Sequence, residues 1–303
     1  MTDLFVHIFV VLTLPLFLQG IVIKTKAAFA GRTGAPLLQP YHDVWKLLRK
    51  QMVLSRTTSW VFLAGPAVTL AAVLAATLLL PLGGREAPVH FAGDLVLFAY
   101  LLALARFSTS LAALDTGSAF EGMGAARELS FAALAEPALF LGLLALVNAC
   151  GSLELSGMLG GGIGPAWVAA APTMVMVTVG LFIVALAENA RIPVDDPNTH
   201  LELTMIHEVM VLDHSGPALA AIHYGAALKF LAMGSLIARL VVPIAGQPVF
   251  LGWALFLAAM IGFAVLVGIV ESIMARLQLP LVPNLLIGAG TLTGFGLVLL
   301  LMR

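Results

Sequence analysis

Four ionisable residues stand within or at the ends of long apolar runs: Glu136, Glu188, Lys229 and Glu271. A charge at the centre of a membrane-spanning helix costs ~3 kcal/mol on insertion scales, so such residues point to pairing, proton transfer or ion movement. Glu136 lies about five residues into its run and precedes Pro137, which removes a backbone donor and can loosen the helical ladder. Lys229 is about six residues into its run, roughly 9 Å at 1.5 Å per residue. Glu188 and Glu271 close two further runs on the same side, and Arg191 follows Glu188 at the spacing of a local ion pair. Together these groups make a polar path from one side toward mid-membrane, suited to coupled protonation. Plainer readings compete: snorkelling for Lys229, and wet helix ends for Glu188 and Glu271. Toward the other side only His7 and Arg239 continue the polarity, which supports half a channel.

Residues 188–208 are the richest polar segment and add Asp195, Asp196, Glu202 and Glu208. Pro193 disfavours helix at the residue before it, so the preceding helix should stop near Arg191. Asp196-Pro197 starts a turn, and Thr199 with Glu202 forms a capping box that predicts a new short helix. Ser215-Gly216-Pro217 ends that helix. Enzyme frames fail here on spacing. His207-Glu208 begins like H-E-x-x-H, but Val211 stands where the second histidine belongs. His207 and His214 could share a face, yet no third metal ligand is evident. No nucleophile sits in a G-x-S-x-G frame. The stretch from Gly160 to Gly164 lacks the Lys-Ser/Thr of a phosphate loop and reads as a flexible turn. No catalytic residue, metal site or cofactor is therefore assigned to this chain.

Eight apolar stretches must position these residues, at roughly 4–23, 60–82, 91–105, 131–150, 166–187, 223–242, 250–270 and 285–302. Each approaches the ~20 residues that a helix needs to cross a hydrocarbon core. The third is shortest and either ends near Arg106 or continues toward Leu114. The first could be read as a signal peptide, but Asp3 replaces a basic leader and Lys24 and Lys26 follow the core, so a retained helix is expected. Basic residues sort sharply between the loops. Lys24, Lys26, Arg32, Lys46, Arg49, Lys50, Arg56, Arg106, Arg127, Arg191 and Arg276 follow stretches one, three, five and seven; Arg85, Arg239 and Arg303 fall opposite. The positive-inside rule then places these loops in the cytoplasm and both termini outside. Twelve of the sixteen acidic residues, all but Asp3, Glu86, Asp94 and Glu154, lie in or near the same loops. In residues 41–56, Val44, Leu47, Leu48 and Met52 recur at helical spacing among Lys46, Arg49 and Lys50. That predicts a basic amphipathic helix at the interface, which can meet lipid headgroups, a soluble partner, or both.

Composition bounds the remaining choices. Of 303 residues, 61% are apolar and 10% charged, too little charge to cover a soluble domain of this size. Cys150 stands alone, which excludes a disulfide scaffold and an iron–sulfur cluster held within the chain. A net charge of −1 argues against nucleic acid. The expectation is an all-α, polytopic membrane protein of about eight spans with amphipathic loop helices, forming one membrane domain over residues 1–303.

Three ordered segments resemble a known family. Residues 26–50, 121–136 (EGMGAARELSFAALAE) and 188–208 are similar to the first, second and third cytoplasmic loops of the ND1 superfamily of complex I membrane subunits. Respiratory members usually read E-x-N-R-x-P-F-D-L-P-E in the third loop and G-P-N-R-x-G-P in the first. Here Arg191-Ile-Pro-Val-Asp-Asp-Pro and Gly31-Arg-Thr-Gly-Ala-Pro36 stand instead. This resembles the membrane subunit of formate hydrogenlyase and related group 4 nickel–iron hydrogenases, and the departure weighs against quinone binding.

The resemblance implies a non-catalytic subunit of an oxidoreductase complex in a bacterial inner membrane. Nickel–iron and iron–sulfur centres would lie in partner subunits: the hydrogenase small and large subunits and iron–sulfur subunits, with antiporter-like membrane subunits alongside. It casts Glu136, Glu188, Arg191, Asp195, Asp196, Glu202, Glu208, Lys229 and Glu271 as a coupling surface. Lys24, Lys26, Arg32, Lys46, Arg49 and Lys50 would dock the soluble arm. The alternative is the quinone-site subunit of a respiratory NADH–quinone oxidoreductase. An autonomous transporter is a third reading, but no internal repeat is visible.

Overall fold

A computed structural model of the chain describes residues 2–195, 205–242 and 244–302. In chain order the helices are α1 (Thr2–Phe29), α2 (Gln39–Leu48), α3 (Trp60–Leu78), α4 (Asp94–Asp115), α5 (Ala119–Cys150), α6 (Leu155–Gly157), α7 (Ile163–Glu188), α8 (Gly216–Val241), α9 (Val249–Ile273) and α10 (Val282–Leu301). A π-helical turn, Met158–Gly162, joins α6 to α7, and short 3₁₀ turns lie at Glu208–Val211 and Leu279–Leu281. Eight of these units are long and apolar enough to cross a membrane, with α6 and α7 counted together. Within a bilayer a lone strand cannot satisfy its backbone groups but a helix can, so apolar runs of this length fold as helices. No strand occurs among the described residues.

Two helices run about ten residues or more beyond their apolar stretches, and both extensions carry charge. The third span continues to Asp115, which puts Arg106 inside α4 rather than in a loop. The fourth starts at Ala119 instead of 131, so Glu121, Arg127 and Glu128 are helical. At 32 residues α5 is about 48 Å long, well beyond a ~30 Å hydrocarbon core, and its polar first third emerges on the basic face. Asp115 ties the ends of α3 and α4 together. It accepts hydrogen bonds from the Ser59 and Phe62 backbone N–H groups (2.6 and 3.2 Å) and from the Ser59 hydroxyl (2.7 Å). A carboxylate at the start of α3 also faces the positive end of its dipole.

The glycine stretch at 160–164 is not a flexible turn. The chain stays helical through it, with one break at Gly160 (φ −86°, ψ −115°) and a second at Ala170, two residues before Pro172. Continuing the helix keeps backbone groups paired at the membrane surface, and glycine tolerates the irregular step.

Helix α8 is the central one, touching α1, α3, α7 and α9. Helices α5, α7 and α10 form a second tight group beside it. They approach closely at Gly180, where a Cβ would come 2.6 Å from Thr293 Cγ2 and 3.1 Å from the Ala289 carbonyl. Small residues at such crossings are how membrane helices gain contact without a hydrophobic driving force. On the basic face α2 lies with no buried residue, held to α1 by a hydrogen bond from the Tyr41 hydroxyl to the Thr13 carbonyl.

Candidate functional site

Arg106 is the hub of a buried ion cluster near the basic end of the bundle. Its side chain is 5% exposed and meets three carboxylates: Glu136 (Nη1–Oε1, 2.7 Å), Glu128 (Nε–Oε1, 3.4 Å) and Glu188 through Nη2. Lys229 pairs with the second oxygen of Glu188 at 2.8 Å. Four elements converge here: α4 supplies Arg106, α5 Glu128 and Glu136, α7 Glu188, and α8 Lys229. A planar guanidinium with five donors can serve three carboxylates at once. Counting formal charges, two cations face three anions, a surplus of −1. Glu136 is the outward member, with 41% of its side chain exposed, while Glu188 is 1% exposed.

A second cluster is built on Glu271, whose side chain is fully buried between Lys26 (2.7 Å) and Arg191 (3.2 Å). Arg191 also donates to Gln19 and stands 5.1 Å over the Phe230 ring. Here two cations face one anion, a surplus of +1. Asp195 anchors the segment beyond Arg191. It pairs with Arg276 at 2.9 Å and accepts the backbone N–H groups of Ile206 and His207 at 3.3 and 3.0 Å. Arg127 of α5 donates to the Met205 carbonyl at 3.0 Å, so the chain at 205–207 is gripped from two sides. Gly124 lets α5 come that close, since a Cβ there would meet Val209 Cγ1 at 2.3 Å and the Ile206 carbonyl at 3.0 Å.

Two adjoining cavities reach the clusters. The larger, about 450 Å³, lies between α1, α2 and α8 and is lined by Lys26, Asp43, Arg191, Glu208, His223 and Glu271 among others. The smaller, about 70 Å³, touches Arg106, Glu188, Lys229, Thr69 and Thr109. Asn189, Ala190, His207 and Ala226 line both. These four residues are the wall between the larger cavity beside α2 and the smaller one at the buried Arg106 cluster.

The sequence-derived candidates divide accordingly. Glu136, Glu188 and Lys229 meet in one cluster, Arg191 and Glu271 in the other, and Asp195 and Glu208 flank the segment between. Asp196, Glu202 and the capping box lie outside the described residues. The local Glu188–Arg191 pair does not form. Helix α7 ends at Glu188, and Ala190 (φ +48°) turns the chain so that Arg191 faces Glu271. Lys229 is not a snorkelling side chain, and neither Glu188 nor Glu271 is a wet helix end; all three are paired inside the bundle. Of the basic residues assigned to docking, Arg32, Lys46, Arg49 and Lys50 are exposed, with Arg49 stacked on Trp45 at 4.6 Å. Lys24 donates to the Thr33 carbonyl at 2.8 Å, and Lys26 turns inward to Glu271. Sequence reasoning missed Arg106 as a hub and Glu128 as its partner. The available signal was that Arg106 is the sole charge between Asp94 and Asp115. Among the described residues no group of three or more His, Cys, Asp or Glu could hold a metal ion.

The family profile described as NADH dehydrogenase matches residues 2–302. The chain belongs to this family. Among curated members it is 34% identical over 229 residues to hydrogenase-4 component C of Escherichia coli (strain K12), covering 76% of this chain and 71% of that one. It is 31% identical over 294 residues to formate hydrogenlyase subunit 4 of the same organism, covering 93% and 91%. An NADH-quinone oxidoreductase subunit of Anaplasma phagocytophilum (strain HZ) is 30% identical over 190 residues, covering 57% and 54%. A chain in the structure of the membrane-bound sulfane sulfur reductase, an archaeal respiratory membrane complex, shares the fold at 18% identity, with a TM-score of 0.81 over 98% of this chain and 97% of that chain. This NADH dehydrogenase family member is thus a multi-pass membrane protein homologous to membrane subunits of hydrogenase and quinone-reducing complexes. The likeness first seen in three loops extends over residues 2–302.

Proposed function

We propose that this chain is the membrane-embedded subunit of a complex I-like nickel–iron hydrogenase of the formate hydrogenlyase type. It anchors a soluble redox arm on its basic face and couples electron transfer there to proton or ion movement. The observation that carries the reading is the Arg106 cluster, buried among four helices and touched by a small cavity that shares its wall with a larger one on that face. The broad match to the two Escherichia coli proteins supports the hydrogenase branch. Nickel–iron and iron–sulfur centres belong to the partner subunits, with antiporter-like membrane subunits alongside. The membrane is the bacterial inner one, with the basic loops cytoplasmic and both termini outside.

What this chain contributes is electrostatic. Charge arriving at the basic face perturbs the turn at 189–195 and the residues 205–207 bonded to it, which together line the approach to both clusters. The surplus anion of the Arg106 cluster lets Glu136, its outward member, take up or release a proton while Arg106 stays paired to Glu128 and Glu188. A quinone-reducing role is the second reading, favoured by the 450 Å³ cavity and the NADH-quinone oxidoreductase relative. Purified complex assayed for hydrogen turnover, quinone reduction and metal content separates the two. Glu136→Gln is expected to retain assembly and lose linked proton movement. Unchanged redox turnover together with unchanged proton movement refutes the coupling role.

A further inference from the structure

The face opposite the basic one carries a second buried guanidinium, and this one has no counter-ion among the described residues. Arg239 sits in the last turn of α8 and is 2% exposed. Its Nη2 donates to the Leu159 carbonyl at 2.9 Å, while Nε and Nη1 have no hydrogen-bond partner among the described residues. No described carboxylate lies within salt-bridge distance. Of the two acidic residues nearby, Glu154 accepts from His90 at 2.7 Å, and Glu86, 80% exposed, points to solvent 4.0 Å from the same ring. A buried unpaired cation is among the most costly arrangements in a folded chain. Arg239 also lines a cavity of about 360 Å³ walled by Arg85, Glu86, Glu154 and several glycines. Of those glycines, Gly160, Gly161 and Gly246 face open space.

We propose that this cavity is a binding site for a phosphate-class oxyanion, the phosphodiester of a lipid headgroup or inorganic phosphate. Three observations point that way. Arg239 keeps one donor at Nε and two at Nη1 unpartnered, on opposite sides of the Nη2 that is bonded to Leu159, so the guanidinium has hydrogen-bonding capacity left for an anion with several acceptor oxygens. The cavity is many times the ~30 Å³ share of one water, so it admits such a group. Helix α8, at 26 residues or about 39 Å, is longer than the hydrocarbon core, which allows its last turn to reach headgroup level. The aperture is held in shape: Trp167 donates to the Leu240 carbonyl at 2.7 Å, and the Asp94 carboxylate accepts the Leu155 N–H at 2.7 Å.

The test uses the assembled complex in nonionic detergent, delipidated and free of phosphate, with peptide-resolved hydrogen exchange over residues 155–165 and 244–250. One arm adds inorganic phosphate, a second transfers the complex to phosphatidylglycerol nanodiscs, and a third adds chloride at matched ionic strength. Phosphate or phosphatidylglycerol is expected to slow exchange about threefold or more in the wild type, less in Arg239→Lys and not at all in Arg239→Gln. Arg56→Gln, an exposed position on the basic face and remote from the cavity, keeps the response. Slowing by phosphate in detergent identifies a free-anion site, and slowing in nanodiscs alone identifies a headgroup site. No slowing in either arm, or chloride acting as well as phosphate, overturns the proposal. So does equal slowing in Arg239→Lys and wild type, which covers the case where Arg239→Gln does not assemble. Protection already complete without either ligand, and lost in Arg239→Lys, would assign the partner to an acidic group of a neighbouring protein in the complex and also overturn it.

Discussion

Replacing Glu188 with glutamine removes the one carboxylate that both Arg106 and Lys229 share. Arg106 keeps Glu136 at 2.7 Å and Glu128 at 3.4 Å, so its loss is partial. Lys229 keeps nothing: Glu188 is its single ion-pair partner among the described residues, at 2.8 Å, and its side chain is 13% exposed. Breaking a buried pair from one side costs about 3–5 kcal/mol, because the other charge is left unpaired. At 1.4 kcal/mol per tenfold, that raises local opening of α8 by roughly 10²–10³-fold or more. Hydrogen exchange of residues 216–241 in the assembled complex reads this directly. The double variant Glu188→Gln, Lys229→Met removes both charges, returns the formal cluster charge to −1, and should recover most of the protection. Coupled proton movement should stay impaired in both variants, which separates a functional carboxylate from a structural one. If the single variant changes exchange by less than about twofold, Glu188 and Lys229 are solvated in the membrane and the buried-cluster reasoning is wrong.

His214 sits outside the spans, stacked on Phe62 with ring centroids 3.9 Å apart, and burial lowers its pKa from 6.5 to about 4. The folded state therefore binds fewer protons than the unfolded one between those values. Local stability of residues 205–217 should be full above pH ~6.5 and fall by up to about 3 kcal/mol as pH drops toward 4; His214→Gln should flatten the dependence, as read by exchange corrected for intrinsic rates. Gly124→Val places a branched side chain against Val209 and the Ile206 carbonyl, an overpacking cost of about 1–3 kcal/mol. Hydrogen exchange over residues 205–211 should accelerate accordingly, and an unchanged rate would mean that α5 does not grip the segment. Charge reversal at Lys46, Arg49 and Lys50 should weaken retention of the soluble arm about tenfold or more at moderate salt, measured by co-purification. Full retention assigns these side chains to lipid headgroups instead.

The spans were legible because the bilayer imposes one solution on a long apolar run. What stayed hidden was where helices continue after the apolar run stops. Residues 119–130 of α5 mix Glu121, Arg127 and Glu128 with small residues and look like loop, yet they pack against the 205–211 segment and stay helical. Arg106 was hidden for a related reason. A cation at the end of an apolar stretch reads as a loop residue under the positive-inside rule, whereas its charge is consumed inside by carboxylates from 22 to 82 positions away. The Glu188–Arg191 expectation failed because i,i+3 proximity holds only within a continuous helix, and α7 ends between the two.

The charges of the two clusters make sense only as a pair. The Arg106 group carries a formal surplus of −1 and the Glu271 group one of +1, while Asp195 with Arg276 is neutral. Joined, they would cancel. The Asn189–Ala190 turn and the two cavities that share its walls keep them apart instead. Separation leaves a field across that turn, directed from Lys26 and Arg191 toward Glu128 and Glu136, in a region where low dielectric strengthens it. On the proposed coupling role, a proton entering beside His207 would be driven toward the Arg106 carboxylates, and its arrival there would remove the surplus that drew it. Any displacement of the 189–195 turn, which carries Arg191 and is bonded through Asp195 to residues 206 and 207, changes the distance between the two surpluses and hence the driving force. That is the ground for proposing this turn, rather than any single carboxylate, as the element through which events on the basic face reach the membrane interior.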